Sequence, residues 1–154
     1  MPFKRKAVVF LATGFGFGCV PVIPGTFGTL PGLPVCYLLA QLPVAVAALS
    51  VVILIAAAMW IAGAAEEAFQ QKDPGKIVID EIAGLAVALL GLPFDLFHVV
   101  TGFVAFRLID AWKPFPLRLM EKRLSGGVGV VMDDVGAGIY THILVRLLAL
   151  MLPS

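Results

Sequence analysis

The chain has 154 residues, 60% of them hydrophobic and only 14% charged, with a mean hydropathy of +1.02. That length suits one domain, 1–154; soluble domains carry about 25% charged residues, so the apolar surplus exceeds what one core absorbs and points to a bilayer. A net charge of +1 excludes the basic footprint of a nucleic-acid binder, and two cysteines are too few for a disulfide framework.

Lys4-Arg5-Lys6 precedes a short apolar stretch, Ala7–Ala12. The stretch dissolves into Gly-Phe-Gly-Phe-Gly with no clean small-x-small cleavage site, so it reads as a retained basic arm and short helix on the cytoplasmic side. Residues 14–34 are dense in glycine and proline and read as loop. A short apolar helix follows, ending near Gln41-Leu42. Leu42–Ala65 is an unbroken apolar run, long enough for a transmembrane helix. It is expected to continue through Gln71 and to stop at Asp73-Pro74-Gly75.

Ile77–Leu90 reads as the next helix, broken at Gly91-Leu92-Pro93. Such a helix is about 21 Å long against a ~30 Å hydrocarbon core, which allows partial or re-entrant insertion. A helix from about Phe94 to Trp112 halts before Pro114. Residues 115–124 form a short basic amphipathic helix, and Ser125–Gly129 reads as a flexible loop. Asp133-Asp134 is expected to open the last apolar helix, roughly 135–152. The fold class is therefore all-α: a compact, membrane-embedded helical bundle with a polar active site at one end.

Folding these runs back at Pro43 and at Leu92-Pro93 gathers nearly every charge at one end. Asp95 and His98, near a tip, are the exceptions. Four pieces stand out at the charged end. Pro24–Thr29 is a Gly/Thr turn whose N–H groups suit an oxyanion, although a plain interhelical turn has the same composition. Asp80-Glu81 are adjacent carboxylates between isoleucines at a helix start, where the helix dipole also favours acids. Arg107, Asp110 and Pro114 share a helical face with Lys113 beside them, a pattern that a surface ion pair would also give. Asp133-Asp134 sit where an N-cap is expected, but one residue suffices for a cap.

Together these pieces supply five carboxylates, two cations and a glycine turn. Like charges brought that close repel unless something positive sits among them. A hard divalent cation such as Mg²⁺ meets that need, and the absence of Cys/His ligands argues against zinc. The Cys19 and Cys36 contexts carry Gly25 and Leu42 where a cysteine phosphatase needs arginine. His98 and His142 read as packed or interfacial residues, and Arg146 as a snorkelling or paired one.

Four ordered stretches resemble the phosphatidylglycerophosphatase A family of bacterial membrane lipid phosphatases. They are Pro24–Leu30, Ile77–Gly84, Phe106–Pro116 and Gly126–Gly138. The resemblance covers about residues 14–140. It implies an all-helical inner-membrane enzyme with its active site facing the cytoplasm. The implied reaction is Mg²⁺-dependent hydrolysis of phosphatidylglycerophosphate to phosphatidylglycerol and phosphate. The segment before Ile77 varies in the family, which makes Asp73 and Lys76 poor candidates. Gly136 stands where a larger aliphatic residue is usual.

On this reading Asp80, Glu81, Asp133 and Asp134 supply the Mg²⁺ site, with Asp110 close by. Gly25, Thr26, Arg107 and Lys113 hold the phosphate, and Glu81 is the first choice of general base. Asp80, Asp110 and Lys113 complete the catalytic set. Direct water attack and a covalent aspartyl-phosphate both remain open, as does the oligomeric state. The rivals are phosphatase action on another lipid phosphate, and a non-enzymatic transport or assembly subunit. The latter needs acids spread at mid-depth along its helices.

Overall fold

The computed structural model describes residues 3–151, and its regular elements are all helical. In chain order they are α1 (Phe3–Ala12), a 3₁₀ turn (Phe17–Cys19), α2 (Pro24–Thr29), α3 (Gly32–Ala40), α4 (Val44–Phe69), α5 (Ile79–Leu89), α6 (Leu96–Trp112), α7 (Leu117–Arg123) and α8 (Gly126–Met151). The expected end of the last helix at 152 lies outside the described residues.

α5 is the axis. Every residue of it except Glu81 and Val87 is buried, and it packs against α2, α3, α4, α6 and α8. Its apolar residues serve two clusters, one with α4 and the start of α8, the other with α6 and α7. Leu85 and Phe106 are fully buried there, each contributing about 1.5–3 kcal/mol by burial. The Val78 N–H donates to the Ala12 carbonyl at 2.8 Å, which pins the end of α1 to the start of α5.

Two helix crossings depend on missing Cβ atoms. At Gly127 an added Cβ would strike the Met59 carbonyl of α4, with the Gly63 nitrogen 2.7 Å away. At Gly84 it would meet the Asp134 carbonyl and the Phe106 ring at 2.7 Å, and Gly138 faces the Gly84 carbonyl. Small residues let backbones approach this closely in apolar bundles. These crossings fix where α8 presents Asp133 and Asp134.

Two expectations need correction. Residues 14–34 are not plain loop, since α2 and the start of α3 lie within them. Proline at the first helical position is compatible with a helix start, and the Ile23 carbonyl accepts from the Thr26 and Phe27 N–H groups at 3.1 and 3.2 Å. Residues 126–129 are not loop either: α8 begins at Gly126, so Asp133 and Asp134 lie inside the helix, not at its cap. Glycine disfavours helix by about 1 kcal/mol per residue. The contacts that only Gly127 and Gly129 permit, with α4 and with the Leu124 backbone, override that preference.

Asp95 proves to be the N-cap of α6. Its carboxylate accepts from the His98 N–H at 3.0 Å and faces the His98 ring at 2.8 Å. Charge at the otherwise uncharged tip thus has a capping role. His142 faces the Ala88 carbonyl through Nδ1 and accepts from Arg146 Nε at 2.8 Å, so Arg146 is paired within its own helix. α4 and α8 are each long and apolar enough to cross a membrane.

Candidate active site

The first turn of α5, the last turn of α6 and the second and third turns of α8 meet at one end. Between them lies a cavity of about 290 Å³ lined by Asp80, Glu81, Asp110, Lys113, Asp133 and Asp134. Three segments far apart in sequence thus deliver five carboxylates to one space. A larger groove, about 750 Å³, runs between α1 and α4, but Glu67 is the sole acid in its lining. The chemistry belongs to the smaller space, where acids and cations face each other.

Two cations brace the acids. Arg107 Nη1 lies 2.7 Å from Asp110 and 3.4 Å from Glu81. Lys113 Nζ donates to Asp133 at 2.6 Å and lies 3.1 Å from Glu121. Burial alone would lower the Lys113 pKa, but the hydrogen bonds and charges of Asp133 and Glu121 win and hold it above the usual lysine value. Lys113 caps the end of α6 in a left-handed conformation, its N–H donating to Ile109 at 2.7 Å.

Burial pushes the Glu81 carboxyl up to about 7, against the opposing pull of Arg107 and of the Thr29 hydroxyl, with Asp110 and Asp73 adding to the rise. Burial first, then the neighbouring Glu81, hold Asp80 well above the usual carboxylate range. The Thr29 Oγ1 lies 2.7 Å from both the Gly25 carbonyl and Glu81 Oε2, with one hydroxyl proton to share between the two acceptors.

Buried carboxylate oxygens of Asp80 (Oδ1), Asp133 (Oδ1) and Asp134 (Oδ2) have no hydrogen-bond partner, and Arg107 Nε is likewise unpartnered. Unpaired buried anions are strongly disfavoured, so these oxygens await a proton or a cation. They are hard oxygen donors, which suits Mg²⁺, an ion that takes one or two carboxylates and completes its shell with water and phosphate. Among the described residues no three acidic, His or Cys side chains stand close enough as placed to ligate one ion. A small set of protein ligands is therefore what the cavity offers.

The Gly/Thr turn does a different job from the expected one. The Thr26 N–H is spent on Ile23 within α2, and the hydroxyl that meets Glu81 belongs to Thr29. Gly25 packs against the Arg107 guanidinium, and a Cβ there would collide with it. Gly25 and Arg107 stand beside Glu81, and neither they nor Thr26 are in the cavity lining. Asp73, set aside by the resemblance, does line the cavity, as does Gly75. Glu121 was also missed; its place on the amphipathic α7, beside the cation-rich end of α6, was the available signal. Gly136 faces the tip of the Leu117 side chain, consistent with a local packing exchange.

The family model described as phosphatidylglycerophosphatase A matches residues 10–149. The chain belongs to this family. It is 38% identical over 130 residues to phosphatidylglycerophosphatase A of Escherichia coli K12, covering 84% of this chain and 76% of that one. The Haemophilus influenzae phosphatidylglycerophosphatase A is 33% identical over 150 residues, 94% of this chain and 92% of its own. A Bacteroides thetaiotaomicron protein provisionally named a phosphatidylinositol-3-phosphatase is 37% identical over 145 residues, 89% of this chain and 90% of its own. No solved structure matches the chain significantly. The family membership makes this chain a phosphatase. The non-enzymatic transport or assembly reading therefore falls.

Proposed function

We propose that this phosphatase hydrolyses the terminal phosphomonoester of phosphatidylglycerophosphate, giving phosphatidylglycerol and inorganic phosphate, with Mg²⁺ as cofactor. The observation that carries the reading is the cavity in which orphaned oxygens of Asp80, Asp133 and Asp134 face a space flanked by Lys113 and Glu81. One or two of those aspartates would hold Mg²⁺ directly and the others would reach it through water, with Asp110 nearby. Held there, a divalent cation would supply neutralisation of the phosphate charge.

The chain's own groups do the rest. Lys113, kept charged by Asp133 and Glu121, presents a cation on the cavity wall to attract and orient the phosphate. Glu81, with its pKa near neutrality, accepts the proton of the attacking water. The phosphorus–oxygen bond to glycerol breaks, and the leaving oxygen takes up the proton that Glu81 received from the water, departing as a hydroxyl and restoring the Glu81 carboxylate. Arg107 and Thr29 hold Glu81 in place.

The apolar outer faces of α4 and α8 would sit in the inner membrane, and the cavity would face the cytoplasm. Lys4, Arg5 and Lys6 on α1 support that sense, because Arg5 donates to the Ala68 carbonyl near the charged end of α4. A second reading, action on another lipid phosphomonoester, is favoured by the name of the Bacteroides relative. Phosphate release from a lipid panel, with Mg²⁺ and with EDTA, tests both. Release from phosphatidylglycerophosphate that vanishes with EDTA is expected. Faster release from phosphatidylinositol 3-phosphate would move the substrate, and undiminished release in EDTA would remove the metal.

A further inference from the structure

Next to the acidic cavity lies a cleft of opposite character. It occupies about 550 Å³ where α6 turns into α7. Its lining includes Lys113, Arg118 and Lys122 and contains no carboxylate. The sole acid of α7, Glu121, is turned to Lys113 at 3.1 Å. Arg118 and Lys122 are four residues apart and share a face of α7. Arg118 is anchored by an Nη2 hydrogen bond of 3.0 Å to the Trp112 carbonyl, which leaves its other donors free. Trp112, Phe115 and Leu119 form an exposed apolar rim, the first two being 70% and 82% accessible.

Lys113 belongs to both spaces. A ligand that fills them together needs one anionic group for the acid-lined cavity, where it meets a cation, and a second for the basic cleft. It also needs an apolar part for the rim. A glycerophospholipid whose polar head bears a phosphomonoester has this layout: the monoester, a short polyol, a phosphodiester, then acyl chains.

We propose that this cleft is a second phosphate subsite, in which Arg118 and Lys122 hold the phosphodiester of the lipid while its terminal monoester enters the acidic cavity past Lys113. Trp112 and Phe115 receive the start of the acyl chains at the membrane surface, where amphipathic aromatic rings settle. The subsite selects for lipids that carry the monoester beyond a diester and against those with the monoester directly on diacylglycerol. This inference rests on the lipid phosphatase reading and names its specificity residues.

The test uses the full chain in neutral-detergent micelles with Mg²⁺, so that the lipid is the main anion present. For Arg118→Ala/Lys122→Ala, KM for phosphatidylglycerophosphate should rise about tenfold while kcat stays within about twofold. Inhibition by phosphatidylglycerol, which has the diester alone, should weaken by a similar factor. Inhibition by phosphatidic acid, which has the monoester alone, should be unchanged. The charge-conserving pair Arg118→Lys/Lys122→Arg should stay near wild type. An unmoved KM, a loss confined to kcat, or equal weakening of both inhibitors would overturn the subsite. Wild type that turns over the substrate while the variant's KM stays put sinks only this inference; wild type that releases no phosphate sinks the proposed function and the subsite with it.

Discussion

α4 and α8 are each 26 residues long and each apolar enough to cross a bilayer. Their surroundings differ. In the most apolar stretch of α4 only 17% of residues are buried, against 50% in that of α8. α4 touches the bundle through a narrow stripe, Ala47, Val51, Ala58, Ala62 and Ala65, and turns Leu49, Val52, Ile53 and Trp60 outward. α8 is held by α4, α5, α6 and α7 and carries two buried aspartates through its second and third turns. Equal length therefore hides two characters: α4, with a hydropathy of 2.7 against 1.3 for α8, turns a broad apolar face outward, while α8 carries buried acids through the packed interior.

The sharpest way to break that contrast is at the acids. Asp134→Asn or Asp80→Asn should lower turnover roughly a thousandfold, as loss of a group that stabilises transition-state charge does. Circular dichroism should stay that of a folded helical protein. Wild-type-like turnover in either variant removes α8 or α5 from the chemistry. Next comes the crossing that sets the register of α8. Gly127→Ala places a Cβ on the Met59 carbonyl, a backbone atom that cannot swing away. A stability loss of about 3 kcal/mol is expected, visible as a lower Tm. An unchanged Tm would mean that α4 and α8 do not cross so closely.

An effect of comparable size comes from pH. The Glu81 pKa is raised in the folded state from 4.5 to about 7. Below pH 4.5 the carboxyl is neutral whether folded or not, and its contribution is fully present. Between 4.5 and 7 the unfolded chain ionises first, so stability falls, and the loss is complete once pH passes the folded value. In metal-free protein this amounts to roughly 3 kcal/mol for Glu81 by the usual conversion. Denaturant midpoints measured in EDTA from pH 4.5 to 8 check it, and the decline should shrink when Mg²⁺ is added. A flat profile, or one that rises with pH, contradicts the buried neutral carboxyl. The smallest change is expected on the exposed apolar face of α4: Ile53→Ala should shift stability by no more than about 0.5 kcal/mol and leave kcat untouched.

Much of this was legible in the chain itself. The length of α4, the breaks at Pro43 and Pro93, the Arg107–Asp110 spacing and the grouping of charge are local facts, and local spacing decides helix period and which end is polar. Two misreadings have one cause. The glycines of 126–129 and the Gly/Pro stretch of 14–34 look like loop because glycine and proline disfavour helix in isolation. Neighbouring helices supplied contacts that outweighed the preference, and nothing in a window of a few residues reports them. Thr29, Asp73 and Glu121 escaped for a related reason, since each matters through a partner distant in sequence or across a turn.

The sequence by itself determined that the protein is helical, apolar along its length and acidic at one end, because residue type and period act over a few bonds. The tertiary structure alone decided that Thr29 meets Glu81, that Lys113 divides its charge between Asp133 and Glu121, and that oxygens of Asp80, Asp133 and Asp134 are left unpartnered beside one space. Those outcomes depend on how closely α8 can lie against α4 and α5. That distance is set where Gly127 and Gly84 leave room for a neighbouring backbone.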